Sequence, residues 1–127
     1  MANKMEHALH NKKLCEELNV QKKYNDWTIT TAFYSALHFT DLKVYPFTAI
    51  KGHTCTNIDE AVQLLKHPEK HTAKMIMIEL QCNEIKIQYR WLKEQSYNAR
   101  YKTYKVAASS GDKAVQYLNI IEKFCVK

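Results

Sequence analysis

Residues 26–45 read DWTITTAFYSALHFTDLKVY, and this stretch decides the fold. Its spacing predicts a helix over 26–45, which Asn25 or Asp26 can cap. One face carries Ile29, Phe33, Leu37 and Val44. The other carries Trp27, Thr31, Tyr34, His38 and Asp41, three or four residues apart. Between Trp27 and Asp41 no side chain carries a full charge other than a protonated His38. A helix apolar nearly all round lies at the centre of a bundle. Its polar groups must then find partners inside the protein.

The flanking sequence supplies helices to surround it. Upstream, Met5, Ala8, Leu9, Cys15 and Leu18 draw a thin apolar stripe over 2–23, the pattern of an outer helix. Downstream, Pro46 stops the central helix, and a loop leads through His53 to Asn57. Asn57 followed by Glu60 resembles a capping box, and Ile58, Ala61, Val62 and Leu65 continue as a third helix that Pro68 ends. A fourth and longest helix is expected over about 71–95. There Met75, Ile78, Cys82, Ile85, Tyr89 and Leu92 form a near-heptad seam, and Ile76, Leu80, Ile87 and Trp91 widen the apolar surface. A surface that broad serves either one subunit's core or a second subunit as well. A tyrosine-rich basic connection follows. The last helix is expected over 111–125, capped by Ser109 or Ser110, with Ala114, Tyr117, Leu118, Ile121 and Phe124 as its stripe. The expected architecture is all-α, an up-and-down bundle of four to five helices in one domain spanning 1–127.

Composition agrees. The 127 residues suit one domain. They include only 2 Gly and 2 Pro, where average usage gives roughly 9 and 6. An all-β fold needs more of both at its bends. No run approaches the ~18 apolar residues of a membrane span. The N-terminus lacks the plan of a signal peptide, so a cytoplasmic protein is expected, with no membrane partner. Four scattered cysteines, Cys15, Cys55, Cys82 and Cys125, are then read as reduced, buried thiols. A net charge of +6 favours an anionic partner such as RNA or a nucleotide.

Two groups of residues could carry chemistry. Tyr34 and His38 share one helix face, and a histidine there either orients a phosphate or is a core imidazole bonded to a neighbour. Lys86, Arg90, Lys93, Tyr97 and Arg100 form one cationic stripe if the fourth helix runs as far as Arg100. With Tyr101, Lys102, Tyr104 and Lys105 it becomes a basic surface with interleaved aromatics, suited to single-stranded RNA. The alternative is a solvated helix face. His53, Cys55, His67 and His71 lack the paired Cys-x2–4-Cys of a structural zinc site, so no metal is expected. With Gly52 and Gly111 as the only glycines, a phosphate loop and a dinucleotide fingerprint are both missing, and no cofactor is expected.

The stretch Asp26–His38 resembles the first long helix of HEPN (higher eukaryotes and prokaryotes nucleotide-binding) domains. One branch of that family has a similar Trp, then Ala-x-Tyr, then Leu-His. Ser96-Tyr-Asn-Ala-Arg100-Tyr101 resembles the branch's Ser-x-x-Ala-Arg-Tyr segment, and Gly52-His53 its His-bearing loop. In order and spacing these pieces cover roughly residues 10–125. The resemblance implies a compact helical bundle, a homodimer, and RNA or nucleotide binding. It also implies a place in a toxin–antitoxin or defence system, with a nucleotidyltransferase as the possible partner. The family's ribonucleases are metal-independent and carry Arg-x4–6-His, which this chain lacks. After Arg90 come Gln95, Ser96 and Tyr97 at the relevant positions, after Arg100 come Lys105, Val106 and Ala107, and His71 is the last histidine. Three readings follow: a binding module for RNA or a nucleotide, a ribonuclease with a rearranged site drawn from Tyr34, His38, His53 and Arg100, or a protein-interaction bundle.

Overall fold

The structure is a computed structural model and describes residues 3–50, 53–66 and 68–126. Among the described residues six helices are present. They are α1 (Lys4–Gln21), α2 (Asn25–Val44), α3 (Ile58–Leu65), α4 (Lys70–Gln81), α5 (Lys86–Tyr101) and α6 (Ala108–Cys125). Helix α2 packs against α1, α4, α5 and α6, while α3 rests on α4. The fold is the all-α helical bundle that the sequence predicts, with α2 at its centre.

The core explains that placement. Ile29, Ala32, Phe33, Ala36, Phe39 and Val44 of α2 are buried, together with Ala8 and Cys15 of α1, Leu92 of α5, and Leu118 and Ile121 of α6. The polar residues of α2 are served internally. The Thr28, Thr30 and Thr31 hydroxyls donate to carbonyls one turn back, those of Tyr24, Asp26 and Trp27. The Ser35 hydroxyl donates to the Ala8 carbonyl at 2.7 Å and ties α2 to α1.

Three expectations about the elements are corrected. The fourth helix is two: Cys82 leaves helical geometry (φ −131°, ψ 43°), and a single 3-10 turn over Asn83–Ile85 joins α4 to α5. The apolar seam survives the break, because Ile78, Cys82, Ile85, Tyr89 and Leu92 are all buried. Asn83 is a poor helix former that competes for backbone hydrogen bonds, so the chain can turn there without losing a core position. Helix α5 then continues to Tyr101, beyond the expected end. The segment after Pro46 is an antiparallel hairpin and not a plain loop: β1 (Phe47–Ile50) pairs with β2 (His53–Cys55), Phe47 opposite Cys55.

The caps differ too. Asn25 does not cap α2; its side-chain amide donates to the Val106 carbonyl at 3.0 Å and pins the α5–α6 connection to the start of α2. Helix α6 begins at Ala108 without a side-chain cap, so neither Ser109 nor Ser110 fills that role. At α3, Asn57 does accept from the Glu60 N–H at 2.9 Å. The Glu60 carboxylate, however, takes the backbone N–H and hydroxyl of Thr56.

Among the described residues the most deeply buried ion pair joins α4 to α2. Lys74 of α4, 3 % exposed, pairs with Asp41 of α2 and donates to the Leu37 carbonyl at 3.1 Å. Its ammonium sits 5.9 Å from the centre of the Tyr89 ring. Burial pushes Lys74 below its ordinary pKa, and Asp41 opposes that shift. Removing one partner leaves the other charge buried and uncompensated. Asp41→Leu should therefore lower stability by about 3 kcal/mol in urea denaturation. The double change Asp41→Leu with Lys74→Met should recover most of that loss.

Candidate functional site

The last two turns of α5 meet the middle of α2 and the start of α4. Ser96 and Ala99 face the core and set the rotation of α5; Lys93 and Arg100, three and four residues from Ser96, lie half-buried at the edge of that face, and Tyr97 turns outward. Arg100 is held from several sides. Its Nε donates to the Ser96 carbonyl at 3.2 Å, and its Nη1 donates to the Tyr34 hydroxyl. The guanidinium carbon lies 5.4 Å from the Tyr34 ring centre and 5.2 Å from that of Tyr101. Among the described residues neither Arg100 nor Lys93 has a carboxylate within ion-pair distance.

Beside Arg100 opens a cleft of about 440 Å³. Lys93, Tyr97, Asn98 and Arg100 of α5 form one side, and His71 of α4 another. Phe33 contributes from α2, with Glu69 and Glu94 also on the lining. Glu69 is occupied as the α4 cap, where its carboxylate accepts from the backbone N–H groups of His71 and Thr72. The His71 ring packs 5.6 Å from that of Phe33. Burial holds its pKa below the ordinary imidazole value; Glu69 opposes, while Lys93, Arg100 and Lys74 add to the lowering. The cleft thus offers two cations, a histidine whose protonation burial disfavours, and a carboxamide, with the carboxylates of Glu69 and Glu94 on its wall. Its two cations suit a phosphate-bearing anion.

The sequence-derived candidates are divided by the fold. Tyr34 and Arg100 are in contact. His38 instead stacks on His7, ring centres 4.9 Å apart and 21° between planes, and burial lowers its pKa. His53 is on β2, beside Cys55, Glu60, Gln63 and Leu64 in a separate depression. The rearranged site of Tyr34, His38, His53 and Arg100 is therefore not one constellation: the histidine sharing a cleft with Arg100 is His71. In the sequence His71 drew notice only as a possible metal ligand, and its position beside a cap glutamate gave no sign of a contact with α5.

The cationic stripe is partly assembled. Helix α5 does run past Arg100, so Lys93, Tyr97 and Arg100 align, and Tyr97 contacts Tyr101 at 5.0 Å. Arg90 is spent on Glu79 of α4 at 2.7 Å. Lys86 is half-buried at the start of α5. Lys102 and Lys105 are exposed on the connection to α6. His67 lies outside the described residues. The four cysteines are free and buried, as expected, and burial raises every thiol pKa, Cys15 to about 11 and Cys125 to about 12. Among the described residues no helix is long and apolar enough to cross a membrane.

No protein-family model, curated protein or solved structure matches the chain.

The two shifted histidines make stability depend on pH. His38 and His71 have folded pKa values below the ordinary 6.5, so the unfolded chain takes up protons first as pH falls. Stability should therefore be full above pH 7 and fall below about 6.5. The urea midpoint should drop between pH 7 and 5, and His71→Gln should flatten that drop. Phosphate in the cleft should oppose the drop in the wild type, because an anion favours the protonated imidazole.

Proposed function

We propose that this chain is a HEPN-like module that binds RNA or a nucleotide through the cleft between α4 and α5. The observation that carries the reading is Arg100. It is a cation fixed between two tyrosine rings beside Lys93, with no carboxylate within ion-pair distance of either charge among the described residues. A cation so held is preorganised for an incoming phosphate oxygen. The net charge of +6 supports an anionic ligand, and the exposed Tyr97 and Tyr101 supply rings beside the cations. The HEPN resemblance of Asp26–His38 and Ser96–Tyr101 supports it from the sequence, since Tyr34 and Arg100 come one from each segment.

A homodimer belongs to this proposal. Leu80 and Ile87, part of the broad apolar surface read from the sequence, are 66 % and 65 % exposed. Light scattering at micromolar concentration tests it, and a monomer would remove it.

A second reading is a metal-independent ribonuclease. That His71 and Arg100 line one cleft favours it: the imidazole accepts the 2′-hydroxyl proton as that oxygen attacks phosphorus, the guanidinium stabilises the charged phosphorane, and the imidazolium returns the proton to the 5′-oxygen as its bond to phosphorus breaks. It predicts cleavage of labelled RNA in EDTA that is lost in both His71→Gln and Arg100→Gln. RNA left intact leaves the binding module.

Binding to a labelled single-stranded RNA, followed by anisotropy, should weaken steeply as salt rises. Lys93→Gln should reduce the slope of log K against log salt by about 0.7, the value for one phosphate contact on a single strand. Binding indifferent to salt, or none at low salt, would overturn the proposal.

A further inference from the structure

Arg100 has a second cleft on its other side. This one measures about 360 Å³ and is built from the start of α2 and the end of α5, with Asp26, Trp27, Tyr101 and Tyr104 around Arg100. The Asn25–Val106 hydrogen bond holds the connection that carries Tyr104 against the start of α2. Its aromatic rings are left largely open to solvent: Trp27 is 53 %, Tyr101 68 % and Tyr104 71 % exposed. Tyr101 is engaged by Arg100 and by Tyr97. Among the described residues no other ring and no cation packs on Trp27 or Tyr104.

Asp26 is in the first turn of α2. Its backbone carbonyl accepts from Thr30, but its carboxylate has no hydrogen bond or ion pair among the described residues. The cleft therefore presents free ring faces, an acceptor-only carboxylate, and the guanidinium shared with the phosphate cleft. Aromatic rings with one carboxylate also suit an organic cation. Here the Arg100 guanidinium forms part of the wall and repels one. A flat, uncharged ring tethered to a phosphate meets no such penalty.

We propose that this second cleft is a nucleobase subsite in which Trp27 and Tyr104 stack one base and Asp26 selects guanine. Guanine presents two adjacent donors, N1–H and the N2 amino group, which match the two oxygens of a carboxylate. Adenine and cytosine offer one amino group beside an acceptor nitrogen. Uracil offers N3–H flanked by two carbonyls, which the carboxylate repels. Arg100 lies between the subsites and joins the phosphate to the base. The inference rests on the phosphate reading of the first cleft and adds to it the class of base.

The test uses the full chain with Trp91→Phe, so that Trp27 is the sole tryptophan. Its fluorescence is followed on addition of guanosine, inosine and uridine 5′-monophosphates, inorganic phosphate and tetramethylammonium. Guanosine monophosphate should quench Trp27 and bind about tenfold tighter than the uridine nucleotide, the preference one bidentate contact gives. Inosine monophosphate, lacking the N2 amino group, should fall between them. Asp26→Asn should bring the ratio close to one by weakening the guanosine nucleotide. Equal affinity for both nucleotides in the parent, or salt-dependent RNA binding without a Trp27 response, overturns the base subsite and leaves the phosphate cleft standing. Quenching by tetramethylammonium makes the cleft a cation cage and overturns the proposal. If neither phosphate, nucleotides nor RNA bind at low salt, both readings fall together.

Discussion

Helix α2 has almost no side that water can occupy, and the rest of the bundle answers to that constraint. Eleven of its side chains are buried, among them Thr28, Thr30, Thr31, Ser35 and Thr40. Each of those hydroxyls donates to a backbone carbonyl, and only Ser35 reaches another helix to do so. The threonines thus behave as nearly apolar surface, which lets α1, α4, α5 and α6 close around one rod. Gly111 of α6 sits at a tight point of that closure. A Cβ there would lie 3.0 Å from the Asn19 side-chain oxygen, in the crowded corner where α6 meets the α1–α2 junction. Asp41 is the carboxylate within this packed stretch of α2, and the fold meets it with a buried lysine.

The candidate site is a by-product of the same constraint. Helix α5 must present Tyr89, Leu92, Ser96 and Ala99 to the core. The residues that follow three of them, Lys93, Tyr97 and Arg100, are thereby set along one flank of that core-facing side. Tyr34 reaches that flank from α2, and its hydroxyl and ring hold Arg100 in place. The clefts on the two sides of this arginine differ in chemistry because different neighbours complete them. One has a histidine, a lysine and a helix start, the other free aromatic rings and a lone carboxylate.

Periodicity made α2 and the seam of α4 and α5 legible, since burial on one face repeats along the chain whatever the partner. It did not show the break at Cys82. A seven-residue spacing reads alike across a continuous helix and across a turn that preserves the facing side. The hairpin at Phe47–Cys55 escaped for another reason: strands of four and three residues are too short to display alternation. Within the site, the Lys93, Tyr97 and Arg100 alignment could be read because it is local to one helix. The choice of His71 over His38 and His53 could not. It depends on how α4 docks against α2 and α5, and His38 finds its neighbour on α1 instead. Local pattern names the residues a helix displays, while the angle between helices chooses which of them meet.

The four thiols give the molecule an internal clock. They sit under α1, in the hairpin, at the α4–α5 break and at the end of α6, each a free sulfhydryl that burial keeps in the unreactive protonated form. A soluble alkylating reagent can therefore mark a given cysteine only when the elements covering it part. The labelling rate at each position becomes a measure of how often that quarter of the bundle opens. Cys15 times the parting of α1 from α2, because its thiol donates to the Thr28 carbonyl across that contact. Cys55 times the hairpin, and the distribution of four rates tells whether the bundle breathes as one body or frays from an edge.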